Sequence, residues 1–88
     1  MKSNERIVLD AVKKASQDLC IGYYGIENHL QFLRLYDNLY AMFGGNIELM
    51  NRWLYTGNVH LKYTPVLRIY SNQYVKQMNE YLESFRHK

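Results

Sequence analysis

The sequence predicts an all-α fold: a single compact domain of about five helices, the fourth short and led by proline. Three observations predict it. Apolar residues recur at intervals of three and four along most of the chain, the spacing of a helix face and not of a strand. Turn chemistry separates those stretches, with GYYG at 22–25, FGGN at 43–46 and TGN at 56–58. And 88 residues give room for one domain only, burying roughly 60–65% of its unfolded surface.

The elements follow in order. From Ser3 to about Leu19, the residues Val8, Ala11, Val12, Ala15 and Leu19 mark a first amphipathic helix, which the two glycines of GYYG interrupt. A second helix is expected from Ile26 to Phe43. Phe32, Leu35, Tyr36, Leu39, Met42 and Phe43 share one face, with Ile26, Leu30 and Leu33 on a neighbouring one, a stripe wide enough for extensive burial. Gly44 suits the position after its last turn, and Asn46 suits the N-cap of a third helix, Ile47 to Tyr55, with Glu48 where the helix dipole favours an anion. Pro65 lacks the donor that a first-turn residue leaves unused, so it opens the short fourth helix through Tyr70. Ser71 or Asn72 caps the last helix, whose stripe is Val75, Met78, Leu82 and Phe85, bordered by Tyr74 and Tyr81. Trp53 is expected to anchor the core beside Leu54, Leu61 and Pro65.

Composition narrows the class of function. One cysteine permits no internal disulfide, so Cys20 is expected as a small buried apolar residue in a reducing, cytoplasmic setting. No stretch approaches the ~20 apolar residues of a membrane span, and the first residues are too interrupted by charge for a secretory leader. The net charge of +3 is spread over scattered lysines and arginines, not gathered in a block. That distribution, and a third helix offering only Asn51 and Arg52 as base-reading side chains, disfavours direct DNA binding. His29, His60 and His87 have no metal-ligand spacing with Cys20 or one another, and GG at 44–45 lacks the strand and further glycines of a phosphate loop. The expectation is a protein that is not an enzyme and carries no cofactor or metal. Nine tyrosines instead suit a protein interface.

The order of motifs sharpens that expectation. A helix ending YAMFGG, a helix closing in RWL, a turn with GN, then Leu61, TP opening a short helix with Val66 and Ile69, and Ser71 opening a last helix with Met78 and Leu82 follow one another from Leu35 to Phe85. This resembles the C-terminal toxin-binding domain of the Xre/MbcA/ParS antitoxins. The resemblance divides the chain into an N-terminal helical segment, 1–34, and an antitoxin-like helical region, 35–88, within one compact unit. It implies a protein that binds and neutralises a partner, typically a RES-domain toxin that consumes NAD, the cofactor belonging to the toxin. In that family a proline usually stands where this chain has Gly57, and glycines stand near Lys62 and Tyr63. The residues around that altered loop, Tyr55, Lys62, Tyr63 and Arg68, are the expected partner contacts. The cationic end, Arg86, His87 and Lys88, is the segment expected to enter an acidic or phosphate-lined pocket of the partner. Two other readings are consistent with the same features: a phage or mobile-element inhibitor of a host defence complex, comparable to an anti-CRISPR protein, and a helical DNA-binding regulator. Self-association as a homodimer is compatible with all three.

Overall fold

A computed structural model describes residues 2–86, with side-chain placement given from residue 4 onward. Four α-helices follow in order: α1 (Lys2–Asp18), α2 (His29–Met42), α3 (Ile47–Tyr55) and α4 (Asn72–Arg86). Between α3 and α4 the expected short fourth helix is a single turn of 3-10 helix, Pro65–Arg68, ending before Tyr70. Among the described residues there is no strand, and a lone antiparallel bridge joins Asn58 and Tyr63. No helix of the described residues is long and apolar enough to cross a membrane.

Each boundary has a local cause. Helix α1 ends at Asp18, four residues before the GYYG stretch, because Cys20 itself takes the left-handed conformation at φ 59°. The Cys20 and Ile21 amides then donate to the carbonyls of Gln17 and Ser16, the paired closure of a Schellman motif. This corrects the expectation of a buried Cys20: a residue in that position turns its side chain out of the helix face, and Cys20 is exposed. Helix α2 starts later than its apolar stripe suggests, because Asn28 caps it, accepting from the Gln31 amide at 3.1 Å. Its end is as expected, with Gly44 at φ 60° and Gly45 at φ 79°. Gly45 is required twice over, since a Cβ there would sit 2.8 Å from the Tyr40 ring. Asn46 then caps α3, accepting from the Leu49 amide at 3.1 Å.

The core is built from one face of each helix: Val12, Ala15 and Leu19 of α1, Phe32, Leu35 and Leu39 of α2, Met50 and Leu54 of α3, and Val75, Met78 and Leu82 of α4. Ile26, Leu61 and Ile69 close it from the connections. Helix α2 is the hub, packing on α4 and on α1. The 34/35 division falls inside α2, and residues on both sides of it bond to α4.

The α2–α4 seam holds a polar network that the apolar stripes do not announce. Asn38 and Asn79 are fully buried, 1% and 0% exposed, and bond to each other at 3.0 Å. Asn79 also donates to Gln31, to its carbonyl at 3.1 Å and its side-chain oxygen at 3.0 Å. Asn38 donates to Glu83 at 2.9 Å and accepts from Arg86 at 2.6 Å, while Arg34 forms a bidentate ion pair with Glu83. The pairings climb together, Gln31 with Asn79, Arg34 with Glu83 and Asn38 with Arg86, so α2 and α4 run parallel. Buried amides of this kind are tolerated because they are bonded, and they fix the register of the two helices.

Helix α3 is fastened to the end of α1 in the same manner. Asn51 donates to the Asp18 carbonyl at 3.0 Å and Tyr55, one turn later, to the Cys20 carbonyl at 2.8 Å. These are carbonyls that a helix end leaves without intrahelical donors. Tyr70 secures the next residues, its hydroxyl donating to the Gly22 carbonyl at 2.9 Å while its ring lies where a Cβ on Gly25 would stand.

Candidate protein-binding surface

The connection between α3 and the Pro-led turn is organised by Asn58. Its side-chain oxygen accepts from the amides of His60 and Leu61, both at 2.9 Å, and its backbone pairs with Tyr63. Closing this loop requires Lys62 to adopt φ 70°. Leu61 is thereby turned into the core, and Lys62 is left exposed.

Two of the expected contact residues meet on one surface. The Tyr63 ring packs edge-on against Tyr74, centroids 5.3 Å apart, and its hydroxyl donates to Gln77 at 2.8 Å. The Arg68 guanidinium lies over the other ring of the pair, 4.9 Å from the Tyr74 centroid, a cation–π contact. Burial pushes the Tyr63 phenol up, the neighbouring Tyr74 adds to the shift, and Arg68 opposes it. The phenol therefore stays a hydrogen-bond donor across the neutral range. Beyond Tyr74 and Gln77 an open cleft of about 650 Å³ continues along α4, lined also by Glu27, Asn72, Lys76 and Glu80. The Asn72 side-chain oxygen is buried with no partner among the described residues, while its backbone amide donates to Glu27 at 3.1 Å.

The other expected residues lie elsewhere. Tyr55 is half exposed, but its hydroxyl is committed to the end of α1, and burial, then Cys20 and Tyr70, raise its pKa. Arg86 is exposed and is held by Asn38 at the top of the polar seam. His87 and Lys88 lie outside the described residues. Sequence reasoning missed Tyr74 as the centre of the patch; the signal was its position on the border of the α4 stripe, four residues before Met78.

Trp53 packs against the core, in keeping with its expected role, but is only partly buried rather than enclosed by it. Its indole belongs to two adjoining clefts. One, about 290 Å³, is lined by Phe43, Leu49, Arg52, Thr56, Gly57 and Asn58 with it. The other, about 210 Å³, is lined by Met42, Phe43, Tyr81, Leu82 and Phe85 with it. Tyr81 is the hinge of an aromatic row here, edge-on to Phe85 at 5.1 Å and stacked with His60 at 5.8 Å. Helix α2 ends at Met42, at the edge of this groove.

Among the described residues no group of three or more His, Cys, Asp or Glu side chains is placed to hold a metal ion. The chain matches no family model, no curated protein and no solved structure.

Proposed function

We propose that this chain is an antitoxin-like binding protein that neutralises a partner enzyme, a RES-type toxin that consumes NAD, by covering its active site. The observation that carries the reading is the Tyr63–Tyr74–Arg68 cluster: two rings and a guanidinium held in fixed geometry on the exposed side of the Pro-led turn. Tyrosine and arginine dominate binding hot spots because they combine large contact area with a directional polar end and lose little side-chain entropy when they are already held. The left-handed Lys62 also supports it, since this is the part of the chain where the resembled antitoxin domains carry glycines. The cofactor in this reading is the toxin's, and the chain works in the cytoplasm beside it.

The test is capture of the partner from the native host, followed by co-expression of the two. Restored growth in the presence of a toxic partner supports neutralisation. Arg68→Glu and Tyr63→Ala should each weaken the rescue while the helical circular dichroism is unchanged; full rescue by both variants would remove this surface from the mechanism. Capture of a host defence complex instead of a toxin would move the chain to the inhibitor class, and salt-sensitive binding to its own promoter would move it to the regulators.

A further inference from the structure

We propose that the groove around Trp53 is a second docking site, built for an amphipathic helix of a partner protein whose apolar anchors are flanked by carboxylates. It shares no lining residue with the Tyr63–Tyr74–Arg68 cluster, and the inference stands whether or not that cluster neutralises a toxin.

The shape comes first. The two clefts meet at Phe43 and Trp53 and form one apolar groove, each pocket of a size for one or two large side chains rather than a whole small-molecule ligand. Phe85 is 47% exposed and Met42 38% exposed at its second end. Singly exposed apolar residues mean little, but these rings are contiguous, and contiguous apolar surface marks a contact site. Adjacent pockets in a shallow groove are what spaced anchors on one helix face fill.

The polar atoms then choose the occupant. The Trp53 indole N–H donates to no protein group among the described residues and is not a buried orphan, so it opens to the groove's solvent side, where a partner's acceptor can reach it. Asn58 spends its side-chain oxygen on His60 and Leu61, which leaves its amide nitrogen free at the wall. The Thr56 hydroxyl donates back to the Arg52 carbonyl at 2.6 Å. Arg52 is the one charged side chain lining either cleft, and its guanidinium has no ion-pair partner among the described residues. The uncommitted groups of the groove are therefore chiefly donors around an apolar floor. They ask for acceptors and negative charge beside an apolar anchor. A second copy of this chain answers poorly: seated groove to groove about a two-fold axis, it would bring Arg52 against Arg52 and offer neither indole an acceptor.

The chain's one tryptophan lies in the site, so its emission reports occupancy directly. The probes are two short, blocked, tryptophan-free helical peptides with Leu and Phe on one face, one with Glu on the other face and one with Lys. The Glu peptide should shift Trp53 emission to shorter wavelength saturably and bind about fivefold more tightly than the Lys peptide, the range of one partly exposed charge pair. In Arg52→Glu that order should reverse, while in Arg68→Glu it should be unchanged. Equal binding without reversal, no emission change with either peptide, or loss of the Glu-peptide signal in Arg68→Glu would overturn the proposal. So would an emission shift that follows protein concentration without peptide, which would make the occupant a second copy.

Discussion

The two flanks of α4 solve opposite problems. Toward α2 it buries polar side chains and bonds each of them: Asn38, Asn79 and Glu83 all have partners across the seam. Toward α3 and the end of α2 it leaves aromatic side chains partly open around the Trp53 indole. Satisfied polarity inside fixes one arrangement of helices, whereas solvent-facing donors around partly exposed rings are surface open to something else. The comparison separates what this sequence spends on being folded from what it leaves available to a partner.

Breaking the closed side should have the largest effect. Asn79→Leu takes one acceptor from the Asn38 amide, which keeps Glu83, and the donor from Gln31, and should cost about 2–3 kcal/mol in denaturant unfolding. Adding Asn38→Leu should return part of that loss, because a polar pair replaced as a pair leaves fewer orphaned groups; a further loss of equal size would mean the two amides act independently. On the open side, Trp53→Ala should cost about 1–2 kcal/mol, clearly less than the ~2–5 kcal/mol of Leu54→Ala next to it. Equal costs would show the indole to be a core anchor after all.

Much of this contrast was legible and part was not. The glycine pair, the Asn46 cap and the apolar faces follow from spacing and turn chemistry, and the structure has them; the Asn28 cap escapes that reading, because the apolar stripe carries α2 back to Ile26. Asn38 and Asn79 stand inside their stripes, Asn38 three residues after Leu35 and Asn79 three before Leu82, so the signal was present as a polar residue at a core position in each of two helices. Its meaning needed the partner helix, which periodicity does not supply. The exposure of Trp53, Met42 and Phe85 was hidden for the same reason, since a stripe says which residues share a face and not where the covering element ends. The Tyr63–Tyr74 contact joins a loop to a helix, and neither residue alone points to it.

A smaller effect concerns Tyr36, whose phenol bridges α2 to α1 by donating to Asp18 at 2.7 Å. Burial first, then the bond to Asp18, lifts its pKa from 10.0 to about 12. Folding thus favours the neutral phenol: this contribution is complete below pH 10.0, and it fades as the pH rises through about 12. Alkaline unfolding followed by circular dichroism should be shallower in Tyr36→Phe across that window. The smallest effects should come from the two left-handed non-glycine residues. Cys20→Gly and Lys62→Gly each relieve a strained φ, offset in part by the freer unfolded chain, and should raise stability by up to about 1 kcal/mol. Destabilisation by either would mean that its side chain contributes more than its backbone strain costs.

The parallel course of α2 and α4 bears on the order of assembly. Two neighbouring helices pointing the same way cannot be joined by a tight hairpin, so the stretch from Phe43 to Ser71 must travel back the length of the pair before α4 can be laid down. Contacts such as Gln31 with Asn79 close a loop of 48 residues, a long reach for so small a helical protein, and long-range closure slows the search for the native state. Refolding should accordingly wait on that return segment, and substitutions at Asn58 should slow it more than their equilibrium cost alone would suggest.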